Sequence, residues 1–331
     1  MVVNIMWVSG LDTRFDVTSV GSTMIRLSVA SGERLETAAE FVVRTAGTES
    51  NTMVALSRMG KRTAWASRLC ENSLGKRITN DIGHFGVDTS SVIWTDIGRN
   101  EVFFVEYGAS PRPIQVIYDR EHSAVSVIDF NELDLDYLLD TRVLHLTGIF
   151  PALSDNCADV TNKLIDAAHT TGVKVSFDVN YRSKLWSAEK ACSVLSPMMN
   201  KADILFITLE DAKSVFGFTG SPAEIVMSIY TKYSPEIAVL TLGGDGGVAF
   251  DGKELYNKGG YTVEVRDRLG AGDCFAAGVL CGYLEGSIKT GMEYATAMAA
   301  LKMGINGDYF VSDKYEVMAL INSTGGREVG R

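Results

Sequence analysis

Residues 202–243 read ADILFITLEDAKSVFGFTGSPAEIVMSIYTKYSPEIAVLTLG. ADILFITLE is a short apolar run and predicts a strand. DAKSVFG and PAEIVMSIYTKY predict helices, and IAVLTLG predicts the next strand. The same alternation extends on both sides. VLHLTGIF (143–150) predicts a strand, and a helix follows through NKLIDAAHTTG. VKVSFDVN (173–180) is again a strand, with a helix near AEKACSVLSPMM. After 243 come GGVAF, a β ribbon through YTVEVRD, and helical segments over 271–286 and 291–304. Strands alternating with helices of this length predict right-handed parallel crossovers. The fold class is therefore α/β: a three-layer sandwich around a mainly parallel sheet.

The first third adds FDVTSVGSTMIRLS, a strand, glycine turn and strand, and then an apolar strand ending at Ala46-Gly47. Ser50 or Asn51 would cap the helix that follows and stops at Gly60. TAWASRLC is a short strand, and SLGKRITNDIGHFGV is a helix. Residues 92–128 are different, being β-rich with no helical signal. The organisation expected is an extension over residues 1–14 and one domain over 15–331. That domain carries a small β lid drawn from about 24–45 and 99–128.

Composition narrows the function. The 331 residues carry a formal net charge of -10, which argues against nucleic acid or an anionic membrane surface as partner. An anionic ligand would need positive charge concentrated locally. Five cysteines without a CxxC pair suit a reducing, cytoplasmic location. Four scattered histidines have no metal-ligand spacing, and no apolar run reaches the length of a membrane span.

The chemistry concentrates in RDRLGAGDCFAAG, residues 266–278. Glycine is costly inside a helix, so Gly270 and Gly272 need a local reason. With Ala271 they allow close approach to the main chain at the start of an apolar helix. Unpaired N–H groups and the helix dipole favour an anion there. Asp273, in the first turn, is placed to take a proton from a hydroxyl attacking a phosphoryl group. A second loop, TLGGDGGVAF (241–250), lies at the C-terminal end of a predicted strand, where ligand crevices of open α/β sheets form. It is neither GxGxxG nor a P-loop, so GAGD and its neighbours must hold the phosphate. Small residues in ATAMAALKMG (295–304) would let a flat purine lie between that helix and the 243–247 loop.

DRLGAGDCFAAG resembles the signature of the ribokinase-like (PfkB) carbohydrate kinases, and AGTESNTMVALSRMG (46–60) resembles their N-terminal glycine motif. The likeness runs from about Phe15 over nearly the whole chain. Within the family it leans toward 2-keto-3-deoxygluconate kinases, through TAWASRLCENSLG, SPRPIQVIYDREHSAVS, FDVNYRSKLW and the arginine of DRLGAGD. The resemblance implies a ribokinase-like sandwich with a β lid, and a homodimer through that lid. It implies transfer of the ATP γ-phosphate to the C6 hydroxyl of a keto-deoxy sugar acid, with Mg²⁺.

By position it implies Asp273 as base and Gly270, Ala271 and Gly272 as anion hole. It places Gly47, Asn51, Tyr118, Arg120 and Arg182 on the sugar acid, with the two arginines pairing its carboxylate. Thr241, Gly243, Gly244, Gly246, Asp267, Lys302 and Asn306 fall to ATP. Thr208 and Asp211 fall to Mg²⁺ through water. Three departures stand out. Gly21-Ser22 replaces Gly-Glu, ITLEDA (207–212) replaces Asn-x-x-Glu-Ala, and phenylalanine stands at 103–104 where tyrosine can occur. Two alternatives stay open: a kinase for fructose or another keto-deoxy acid, and an inactive sugar-binding protein of the same fold.

Overall fold

The computed structural model describes residues 13–108 and 111–323. The expected 1–14 extension therefore lies mostly outside the described residues. Arg14 itself is tied down, its main-chain N–H donating to Asp140 at 3.0 Å.

The main sheet has eight strands: β1 (Phe15–Val20), β4 (Thr63–Ala66), β9 (Thr141–Thr147), β10 (Lys174–Asp178), β11 (Ile204–Thr208), β12 (Ile237–Thr241), β13 (Gly247–Phe250) and β14 (Leu255–Lys258). Their order is β14-β13-β12-β11-β10-β9-β1-β4. The pairs from β4 through β12 are parallel, and β13 and β14 add an antiparallel edge. Apolar runs without polar alternation are what a sheet covered on both faces requires. In β11, Leu205 and Ile207 join the core with α4 (Asp155–Thr171), α5 (Ala188–Met199) and α7 (Pro222–Tyr233). Ile204 and Phe206 point the other way, toward α1 (Thr48–Arg58), α8 (Ala271–Leu284) and α9 (Ile288–Met303).

The lid is a four-stranded sheet, β3-β2-β7-β8, made of β2 (Met24–Ser28), β3 (Val42–Ala46), β7 (Val102–Glu106) and β8 (Gln115–Asp119). These strands fall almost wholly inside the two segments read from the sequence. Its inner face packs Met24, Ala46, Phe103 and Val105 together, with Leu269 against them. No helix among the described residues is long and apolar enough to cross a membrane.

Four local expectations are corrected. TAWASRLC is two strands, since β4 joins the main sheet while β5 (Arg68–Cys70) pairs with β6 (Ile93–Thr95) in a separate ribbon. The strand read through VLHLTGIF ends at Thr147, and a 3₁₀ turn occupies 150–152. YTVEVRD forms no strand. It leaves the sheet edge after β14 and crosses to the end of α9, where the N–H groups of Arg266 and Asp267 both donate to Met303 O. The helix after Gly47 begins at Thr48 with Gly47 itself as N-cap, so Ser50 and Asn51 lie inside the first turn. Ser50 Oγ donates to Gly47 O at 3.0 Å and accepts from Thr23, while Asn51 Oδ1 accepts from the Gly47 N–H at 3.4 Å and its amide turns to Asp273.

Candidate active site

Helices α1 and α8 pack together in one core, and their first turns are joined at Asp273. Gly47 holds extended backbone just before α1. A Cβ there would lie 2.1 Å from Ser22 O and 2.6 Å from Thr23 Oγ1, so only glycine lets the strand-to-helix turn sit this close to β2. Thr48 Oγ1 donates to Asp273 Oδ1 at 2.5 Å, and Asn51 Nδ2 donates to Oδ2 at 2.6 Å. Asn180, after β10, donates to Thr48 Oγ1 at 3.0 Å and leaves the threonine proton for Asp273. Asp273 is nearly buried. Burial raises its pKa, and the bonds from Thr48 and Asn51, with the charge of Arg182, oppose the rise.

Gly270, the residue before α8, has φ +84°, and a Cβ there would meet Asp308 O at 2.1 Å. A left-handed glycine in this contact starts the helix with no side chain capping it. The Ala271 N–H donates back to Arg268 O at 3.3 Å, so the first-turn N–H groups left to a ligand beside the Asp273 carboxylate are those of Gly272 and Asp273.

Two further carboxyls lie nearby. Asp178 is pushed up to about 7, first by burial and then by the charges of Asp273 and Asp211, with Arg182 acting in the opposite direction. Burial also raises Asp211, while the bond from Thr208 and the charge of Arg182 lower it. Arg182 is exposed, and among the described residues its guanidinium bonds only its neighbour's carbonyl, Tyr181 O at 3.2 Å. One accessible cation therefore acts electrostatically on three clustered carboxyls. Glu49, fully buried in the first turn of α1, accepts from Thr147 Oγ1 at 2.6 Å and is pushed up to about 7 by burial.

The lid supplies the remaining wall. Tyr118 stacks on Phe103 with ring centroids 5.7 Å apart, and Arg120 lies 5.5 Å from the tyrosine centroid. Arg120 already spends its Nε on Glu101, at 3.4 Å. Glu101 is buried and also accepts from Ser22 and Ser123. Ser22, where the family pattern has glutamate, thus hydrogen-bonds a glutamate brought in from another segment.

The residues expected at ATP are distributed unevenly. Thr241 ends β12, and Gly243 and Gly244 begin a 3₁₀ turn that leads through Gly246 into β13. Gly247 packs on Phe275 of α8, which places this turn beside the GAGD helix. Asn306 is exposed. Lys302 departs from expectation. Its ammonium is fully buried and donates to two main-chain carbonyls, Asp267 O at 3.1 Å and Ile305 O at 3.3 Å, so it braces the loops instead of facing a ligand. The Asp267 carboxylate is likewise internal, paired with Arg26 at 2.6 Å. Thr208 caps α6 (Leu209–Ser214) by accepting from the Asp211 N–H at 2.9 Å, and its hydroxyl also acts on the Asp211 carboxyl. Sequence reading passed over Thr48, Glu49, Glu101, Asp178 and Asn180. Thr48 stands beside Gly47, and Asp178 and Asn180 stand inside FDVNYR, so their only signal was adjacency to named motifs.

The model of the pfkB family carbohydrate kinases matches residues 14–314. A 2-dehydro-3-deoxygalactonokinase of Haloferax volcanii is 36% identical over 303 residues, covering 91% of this chain and 95% of its own. A 2-dehydro-3-deoxygluconokinase of Bacillus subtilis is 29% identical over 298 residues, with 89% and 91% covered. The crystal structure of the 2-dehydro-3-deoxygluconokinase of Thermotoga maritima aligns with TM-score 0.89 and 31% identity, over 93% of this chain and 98% of that one. The chain belongs to the pfkB carbohydrate kinase family. Its fold is ribokinase-like, and it is an ATP-dependent sugar kinase.

Proposed function

We propose that this kinase phosphorylates the terminal hydroxyl of a 2-keto-3-deoxy sugar acid, 2-keto-3-deoxygluconate or its galacto epimer, with Asp273 as general base. The observation that carries the reading is the Asp273 carboxylate at an uncapped helix N-terminus, held by Thr48 and Asn51 and under the field of Arg182. Each carboxylate oxygen has two lone-pair sites, and one on each is occupied. The acceptor hydroxyl takes a free one. As its oxygen attacks the γ-phosphorus, the proton passes to Asp273 and the bond to the ADP oxygen breaks, with no covalent enzyme intermediate. The N–H groups of Gly272 and Asp273 receive the negative charge of the transferred group. Arg182, which no carboxylate among the described residues reaches within salt-bridge distance, and Arg120 and Tyr118 on the lid face the sugar acid. An acid, more than a neutral sugar, fits two arginines on an otherwise acidic protein.

Mg²⁺ fits the donors present. Asp178 and Asp211 are mostly buried carboxyls, and the charge of Asp211 favours the protonated form of Asp178, a repulsion a divalent cation relieves. Together with Thr208 they would hold the ion through its water, and the bound ion would neutralise phosphate charge. The 243–247 turn and α9 would hold the purine.

The outer face of the lid presents Val43 and Ile117, both at least two-fifths exposed, alongside Phe41 and Phe104, whose rings lie 6.0 Å apart. Such a patch on a sheet favours a homodimer formed lid to lid, in a cytoplasmic enzyme. A monomer at micromolar concentration in light scattering would refute the dimer. The function is tested by coupled ADP release with Mg-ATP and a panel of both keto-deoxy epimers, fructose and ribose. Turnover restricted to the acids is expected. Preference for a neutral sugar would overturn the assignment.

A further inference from the structure

The lid and the turn that starts α8 are joined by a buried charge cluster. Arg26, at the centre of lid strand β2, is fully buried, and its side chain runs out of the lid into the body. Its Nη2 donates to Asp267 Oδ2 at 2.6 Å and to the Tyr107 hydroxyl, and its Nη1 donates to the Asp308 carboxylate. Tyr107 directly follows lid strand β7, and its hydroxyl also donates to Asp267 Oδ2, at 3.1 Å.

The two carboxylates gripped from the lid flank Gly270. Asp267 accepts from the Leu269 N–H at 3.1 Å and from the Gly307 N–H at 3.0 Å, and Lys302 fixes its carbonyl. Asp308 O is the atom that bars any side chain at Gly270. Arg26 and Lys302 balance Asp267 and Asp308 in charge, so the cluster has no spare cation for a ligand. Buried ion pairs add little net stability over an apolar alternative. What this one supplies is register between two lid strands and the turn that starts α8.

We propose that Arg26, assisted by Tyr107, is a positioning residue that aligns the N–H groups of Gly272 and Asp273 when the lid lies on the body. The inference rests on the reading of that helix start as the phosphoryl site. Movement of β2 or β7 away from the body pulls on Asp267 and Asp308, and so on Gly270. The donors are then aligned for transfer when an acceptor holds the lid down, and misaligned for attack by water when the lid is raised.

Two variants test this in the full-length protein. Tyr107→Phe removes a hydroxyl without stranding a charge. Arg26→Lys keeps the charge but cannot bridge three partners. In Tyr107→Phe we expect kcat to fall about 3- to 10-fold with the sugar-acid KM within about twofold of wild type, and in Arg26→Lys about 30- to 100-fold. Amide exchange over 268–273 should quicken at least about threefold in both, while exchange over 204–208 stays unchanged. Folded variants with wild-type kcat, a loss confined to the sugar-acid KM, or unchanged exchange over 268–273 overturn the proposal. If the wild-type protein transfers no phosphate to any acceptor, the phosphoryl-site reading fails, and the exchange measurement still decides the coupling.

Discussion

Asn51 and Asp273, 222 residues apart, are joined by a 2.6 Å hydrogen bond from amide to carboxylate. That bond, with the one from Thr48, fixes the rotamer of the only carboxylate in the first turn of α8. It also explains why a residue with the chemistry of a helix cap lies inside α1 instead of before it. The carboxylate is buried, and the amide and hydroxyl satisfy it without a cation of its own.

Asp273→Asn preserves shape and both neighbours within reach, so the protein should fold. It removes the proton acceptor, and kcat should fall about 10²–10⁴-fold in the coupled ADP-release assay. A near-normal kcat would remove Asp273 from the role of base.

Thr48→Val deletes one of the bonds that hold Asp273 in its charged form. The Asp273 pKa then rises further. A base must be deprotonated to act, so the acid limb of the kcat profile should move to higher pH. An unmoved limb would show that the titration seen in kcat belongs to another group.

Arg182→Ala removes the exposed cation facing the three carboxyls. Sugar-acid KM should rise about 10- to 100-fold, the value of charge-assisted hydrogen bonds, with ATP affinity nearly unchanged. Equal weakening of ATP in a binding titration would place the arginine on the nucleotide instead.

Glu49→Gln tests the buried carboxyl of α1. Its folded pKa, about 7, lies above the ordinary carboxylate value near 4. Between those values the folded state holds a proton that the unfolded state has lost. Stability therefore falls as pH rises through that window and levels off above it. The faces turned toward Glu49 bring the Thr147 hydroxyl and the charges of Asp273 and Arg120. Glutamine keeps the Thr147 contact and cannot ionise. The decline of Tm between about pH 5 and 7 should be shallower than in wild type; an identical slope would assign the decline to other groups.

Gly270→Ala combines a φ of +84° with the contact at Asp308 O. A loss of about 2 kcal/mol or more is expected in the denaturant midpoint, with kcat falling alongside. An unchanged midpoint would mean that the 305–308 segment yields freely.

Much of this was legible in the chain because the signals are local. An apolar run such as ILFIT followed by PAEIVMSIYTKY carries its own periodicity, and a short β-rich stretch without helical pattern marks the lid. GAGD points to the anion site proposed here because glycine before an apolar helix has few other uses. Local signals also misled. Ser50 and Asn51 were expected to cap a helix, since the groups that cap helices are the groups that hold a carboxylate. YTVEVRD alternates like a strand, yet no neighbouring strand receives it beyond β14 and its main chain bonds to the end of α9.

The order of residues alone determined the alternating α/β layers, the lid segments and the position of the acid beside a bare helix start, because each depends on neighbours within a few turns. Only the tertiary structure decided which groups hold that acid, that Lys302 and Asp267 face inward, and that Arg26 ties the lid to Gly270. Those facts depend on contacts such as Arg26 with Asp308, 282 positions apart, and on which side chains lose water when the layers close.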